Sequence, residues 1–155
     1  MTKYEKLLDV VSKENLKLLE TEFDSELKGL CIGNFIAIKK DMRQSEKACI
    51  LAEELAHYYT TVGNILDQSN SYNQKQENQA RKMAVNYLIS PEDLARAFRM
   101  GYYDLFDIAE YLSLSYEFLL ESLAVFKVKY GLIYEGNDYR IEFNDLGFSF
   151  QDKLV

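Results

Sequence analysis

Ser45-Glu46-Lys47-Ala48-Cys49-Ile50-Leu51-Ala52-Glu53-Glu54-Leu55-Ala56-His57-Tyr58-Tyr59 carries two stripes at helical spacing. Ala48, Leu51, Leu55 and Tyr58 or Tyr59 recur every three or four residues and predict a buried face. Glu53, Glu54 and His57 fall on the neighbouring stripe. Ser45 is placed to cap this helix, with Glu46 adding negative charge to its first turn. The pattern runs to about Val62. An amphipathic helix with two acids and the chain's one histidine beside its buried face is an unusual use of those residues.

Outward from this helix the pattern changes twice. Upstream, Tyr4, Leu7, Leu8 and Val11 mark a helix over residues 3–13 that can cover a sheet. Leu16, Leu18 and Leu19, leading into Glu22 and Phe23, read as a strand. Lys28 to Ile38 reads as two short strands about Gly33-Asn34, a turn pair that tolerates positive φ. Downstream, residues 67–76 are polar, without periodicity, and read as a loop. Glu77, Ala80, Ala84 and Leu88 then share a helical face up to Pro91, and the small alanines permit close packing on another helix. Residues 92–130 read as three helices, with Pro91 in the first turn of one. Asp104 opens the next, and Ser115 caps the third, which ends at Gly131. Leu132 to Phe143 reads as a β-hairpin about residues 135–138.

The composition excludes several classes. Apolar residues make up 48% of 155, enough for a core, and there is one proline. No run approaches the roughly 18 apolar residues that span a bilayer, and the charged N-terminal residues lack the apolar segment of a secretion signal. Cys31 and Cys49 lie far apart and read as reduced core residues of a cytosolic protein. Net charge is −7; residues 92–155 hold 12 acidic and 6 basic side chains, against 13 and 12 in residues 1–91. Such a surface repels phosphate backbones, so no direct nucleic-acid partner and no membrane partner is expected.

Residues four apart on a helix point the same way, about 5–6 Å apart at Cβ, so Glu53 and His57 can grip one metal ion. Glu54, on the flank, is placed to act as general base. The arrangement is one residue away from His-Glu-x-x-His, the helical signature of zinc peptidases, with Glu53 in place of the first histidine. A third protein ligand must come from elsewhere. Glu77 is the best candidate, 20 residues after His57 and near the start of a helix able to pack antiparallel to the first. Taken alone, Glu-Glu-x-x-His also fits a solvated helix face with one surface histidine.

The order of several blocks resembles the ImmA/IrrE family of metallo-endopeptidases, in its phage and integrative-element form. The likeness begins with Lys28-Gly29-Leu30 and Phe35-Ile36-Ala37-Ile38. It continues through Ser45-Glu46-Lys47-Ala48 and Ile50 to Tyr59, then Glu77-Asn78-Gln79-Ala80 and Leu88-Ile89-Ser90-Pro91. It closes on Asp107-Ile108-Ala109-Glu110-Tyr111-Leu112 and Lys129-Tyr130-Gly131. The resemblance implies that His57 and Glu77 are metal ligands and Glu54 the catalytic base, with Glu53 standing where the family usually has a ligating histidine. A carboxylate can ligate zinc, but two carboxylates neutralise the ion's charge and weaken its acidity toward water. The implied cofactor is Zn²⁺, with Mn²⁺ or another divalent ion favoured by the oxygen-rich set. The implied partner is a protein substrate, a repressor-type transcription regulator of a phage or mobile element, cleaved or inactivated in the cytoplasm of a bacterial host.

The expected fold is α+β: an N-terminal helix and small antiparallel sheet, a helical bundle with a zincin-like active-site helix, and a C-terminal β-hairpin. Residues 1–91 are expected to form the metallopeptidase-like domain and residues 92–155 a helical subdomain with the hairpin, in one compact unit. Two other readings stay open. With Glu53, the chain can have kept the fold and act as a stoichiometric, antirepressor-like binder, or hold an ion that is purely structural. Residues 104–123 also mimic a helix-turn-helix, but the helix expected to read DNA exposes Tyr116, Glu117, Leu120 and Glu121 and no Arg or Lys.

Overall fold

The computed structural model describes residues 1–60 and 71–153, with the backbone alone at 71–73. It is an α+β protein. Contacts divide it into two compact units, Met1–Leu88 and Ile89–Val155.

The first unit opens with α1 (Lys3–Lys13), started by a capping box in which Thr2 and Glu5 each satisfy the other's backbone N–H. Tyr4, Leu7 and Val11 are buried as its spacing predicts, while Leu8 is half-buried. Asn15, at φ +56°, turns the chain into β1 (Lys17–Thr21). β2 (Gly29–Ile32) and β3 (Phe35–Lys39) form the expected hairpin, in which Gly33 alone takes positive φ, +56°.

The sheet is not purely antiparallel. Its order is β1-β3-β2, and β1 runs parallel to β3. The physical reason is the connection at residues 22–28, which carries the chain across the sheet before β2 begins. β3 thus becomes the central strand, with Ile36 and Ile38 fully buried. β1 also ends at Thr21, before Glu22 and Phe23.

α2 (Gln44–Thr60) packs against α1, β2, β3 and α3. It starts one residue before Ser45, and the Arg43 carbonyl accepts its first hydrogen bond from Lys47 N–H at 3.0 Å. Ser45 is therefore inside the helix, not its cap. The expected end near Val62 lies outside the described residues. α3 (Ser71–Leu88) begins earlier than its apolar face suggests, so residues 71–76 are helix and not loop; residues 67–70 lie outside the described part. Ala48, Ala52 and Ala56 of α2 and Ala80 and Ala84 of α3 are all buried. Such small side chains let two helix backbones approach closely. Glu20 joins three elements: its carboxylate accepts from Tyr4 Oη of α1 and from Lys47 Nζ of α2, each at 2.7 Å.

In the second unit, α4 (Pro91–Arg99), α5 (Leu105–Tyr111) and α6 (Tyr116–Tyr130) match the three expected helices. The Asp104 side chain caps α5 and the Ser115 hydroxyl caps α6. Ser113 takes φ +56° in the turn between them. The C-terminal part is a three-stranded antiparallel sheet rather than a hairpin. β4 (Ile133–Glu135) and β5 (Tyr139–Asn144) pair as expected, and β6 (Gly147–Asp152) adds to the far side of β5. β5 would otherwise expose an unpaired edge and leave Phe148 and Phe150 without cover. Helices α2 and α3 lie in the first unit, where α2 packs on the sheet, and α4–α6 lie in the second.

Candidate metal centre

The α2 face that carries Glu53, Glu54 and His57 is half-buried, in contrast to the fully buried Leu51, Leu55 and Ala56 beside it. The last turn of α2 meets α3 at residues 76 and 77. Gln76, a buried polar side chain, donates from Nε2 to the Thr60 carbonyl at 3.2 Å and ties the helix end in place. One residue on, Glu77 Oε1 lies 3.7 Å from His57 Nδ1. That is longer than a hydrogen bond, but well within the span of two ligands to one ion. Their side chains remain 25% and 31% exposed, so a substrate or ion has access.

Glu54 sits deeper. Burial, and then the negative charges of Glu53 and Glu77, push its carboxyl up to about 7. Glu54 therefore feels both acids across α2 and α3. β2 lies directly over it. A Cβ at Gly29 would sit 2.6 Å from Ile50 Cγ2 and 2.9 Å from Glu54 Oε1, distances no real side chain tolerates. Gly29 is thus what lets the strand backbone approach this carboxylate. Cys31, two residues along the same strand face, is half-buried, and burial together with the Glu54 charge pushes its thiol up to about 11. Neither cysteine forms a disulfide; Cys49 is in the core, while Cys31 lines the neighbourhood of Glu54 rather than the core.

The structure brings His57 and Glu77 together and puts Glu54 within electrostatic reach of Glu53 and Glu77. It does not close a ligand set: among the described residues, no three His, Cys, Asp or Glu side chains are grouped so as to hold a metal ion. The donor chemistry nevertheless fits a divalent cation. His57 and Glu77 approach each other, and the charges of Glu53 and Glu77 already raise Glu54; imidazole and carboxylate donors of this kind suit zinc and harder ions. The residues missed in the sequence are Gly29, Cys31 and Gln76. Gly29 was signalled by a glycine opening an apolar strand, where the missing side chain marks close backbone approach. Gln76 lies in a polar run that gives no such cue.

Among the described residues, no helix is long and apolar enough to cross a membrane. A search of the curated proteins and one of the solved structures each return no match. The sequence pattern of the Peptidase_M78 family, described as the IrrE N-terminal-like domain, matches residues 10–124, a span that takes in α2 and α3 and every residue considered above. The chain belongs to this IrrE N-terminal-like peptidase family.

Proposed function

We propose that the chain is a metal-dependent endopeptidase of the ImmA/IrrE type whose target is a repressor-type regulator of a phage or mobile element. The observation that carries this reading is the 3.7 Å approach of His57 to Glu77 across two helices, in a member of a peptidase family. His57 and Glu77 hold the cation, with Glu53 as the third ligand. Zn²⁺ is the first choice, and Mn²⁺ or another divalent ion is the alternative for so acidic a set. When bound, the ion supplies Lewis acidity toward a peptide carbonyl.

The chain's own groups do the rest. Glu54, beneath the β2 backbone, accepts the proton of the attacking water and returns it to the nitrogen of the leaving amine. β2 is an edge strand of its sheet, so its outer N–H and C=O groups can pair with an extended segment of the target. Gly29 keeps that edge close to Glu54.

Glu53 favours a second reading, in which the fold grips the regulator without cutting it. The two separate in one experiment. Purified protein and its Glu54→Gln variant are incubated with the repressor encoded beside it, and both cleavage and complex formation are followed. An enzyme loses cleavage on substitution and keeps its partner. A wild-type protein that binds without cutting under every divalent ion tried supports the stoichiometric binder. A repressor neither bound nor cut removes the proposed target.

A further inference from the structure

We propose that the exposed aromatic face formed by α5, the turn before it and the start of α6 docks a cationic, amphipathic segment of a protein partner. From Met100 to Phe126 the chain carries Asp104, Asp107, Glu110, Glu117 and Glu121 and no Lys, Arg or His. All five acids are exposed. Interleaved with them are large apolar side chains that solvent also reaches: Tyr103 is 68% exposed, Phe106 62% and Leu120 40%.

These rings are held in place. Phe106 of α5 stacks on Tyr116 of α6 with centroids 4.0 Å apart and planes 12° from parallel. Tyr102 stacks on Tyr111 at 4.8 Å, and Tyr103 leans on Phe98 at 4.8 Å. The Phe106–Tyr116 stack joins two helices into one surface. Each ring offers its remaining face without losing much side-chain entropy on binding, a property shared with protein-binding surfaces. Exposed aromatics of this kind on a folded unit mark an interaction site.

Charge selects the occupant. Aromatic faces and carboxylates both attract guanidinium and ammonium groups. Phosphate backbones are repelled by these five exposed acids. A second copy of the chain would bring the same acids against themselves, in a molecule whose net charge is already −7. Arg96, at the edge of this surface, pairs with Asp93 at 2.6 Å and also hydrogen-bonds Tyr111, one positive charge against five acids. A partner segment with Arg or Lys beside apolar side chains meets both halves of the surface. The inference rests on the proposed function only in taking that partner to be the peptidase's protein target.

The test measures binding, not hydrolysis. The probe is a fluorescent helix-forming peptide of arginine, leucine and alanine, titrated with the full chain and followed by anisotropy. Asp107→Lys/Glu117→Lys/Glu121→Lys, and separately Tyr103→Ser, should weaken binding about tenfold or more. Glu22→Lys/Asp24→Lys/Glu26→Lys, with the same net charge as the first triple variant, should stay within about twofold of wild type. Tyr103 is so exposed that its substitution leaves the fold intact. The proposal is overturned if the control triple variant weakens binding as much as the first, or if Tyr103→Ser binds like wild type. It is overturned too if duplex DNA displaces the peptide, or if the surface proves to be a concentration-dependent dimer contact. The Glu54→Gln protein should bind the peptide unchanged, so loss of cleavage and loss of docking are read independently.

Discussion

Glu54, half-buried in the first unit, and Glu92, exposed in the second, are carboxylates pushed in opposite directions. Burial, Glu53 and Glu77 drive the Glu54 carboxyl up. Burial also presses on Glu92, but its own backbone N–H and the hydroxyls of Tyr134, Tyr139 and Ser90 outweigh it and hold the carboxyl below its ordinary range. The two tyrosines donate to Glu92 Oε1 at 3.0 Å each. The same contrast extends around them. Arg99 pairs with Asp138 and Asp152, and Glu135 with Arg140 and Lys153. Glu92, Glu135, Asp138 and Asp152 are thus matched by donors, as structural carboxylates are. Glu54, by contrast, feels the like charges of Glu53 and Glu77, and Glu77 lies 3.7 Å from His57. Carboxylates left in conflict where matched ones are available mark a site kept for chemistry.

The largest effect should come from breaking the conflicted side. Glu54→Gln removes the proton acceptor and should lower cleavage about 10²–10⁴-fold, measured as the initial rate of target hydrolysis, with the thermal midpoint unchanged or raised. An active Glu54→Gln protein would return Glu54 to the role of a packed side chain.

The second prediction sets the pH slopes of the two units against each other in chelator-treated protein. A carboxyl raised from 4.5 to about 7 contributes stability that is full below 4.5 and lost as pH rises through about 7. Unfolding by urea should therefore show the metal-free protein more stable at pH 5 than at pH 8, by on the order of 2–3 kcal/mol at most, and Glu54→Gln should flatten that slope. Glu92 has the opposite sign: its contribution is present above 4.5 and is lost as the pH falls through its lowered folded value. Glu92→Gln should flatten only the acid limb. Slopes that do not respond to their own variant would show that the contrast lies elsewhere.

Third, Gly29→Ala places a methyl group against Ile50 and Glu54. Overpacking of this kind costs about 1–3 kcal/mol. The expected signature is a lowered urea midpoint together with slower cleavage, because β2 and Glu54 must move apart. The smallest effect belongs to the matched side. Ser115→Ala removes the hydroxyl that accepts from Phe118 N–H at 3.2 Å and should cost about 1 kcal/mol in urea unfolding, without changing cleavage.

What could be read in the sequence follows from how local each signal is. The α2 stripe, the Asp104 and Ser115 helix starts and the Gly33 turn are local, and the structure has them. Within the stripe Ala48, Leu51 and Leu55 are buried, but Tyr58, near the helix end, is half-buried and Tyr59 is exposed. The parallel pairing of β1 with β3 depends on where residues 22–28 carry the chain, and no periodicity within β1 reports it. β6 does show alternation, at Phe148 and Phe150, but the hairpin of β4 and β5 is complete without it; only the exposed edge of β5 demands a third strand. Residues 71–76 are helical although polar on all sides, a case in which hydrophobic periodicity carries no information. At the candidate site, spacing along α2 put Glu53, Glu54 and His57 together. The approach of Glu77 could only be an expectation, since it depends on how two helices pack. The burial of Glu54 beneath Gly29 was invisible, because it arises between a strand and a helix far apart in the chain.

The central claim is that His57 and Glu77 share one cation. Isothermal titration of metal-free protein with Zn²⁺, and in parallel with Mn²⁺, tests it most directly. The account predicts one ion bound per wild-type chain and its loss in both His57→Ala and Glu77→Ala. Wild-type stoichiometry retained by Glu77→Ala, or no ion bound by the wild type, would contradict it.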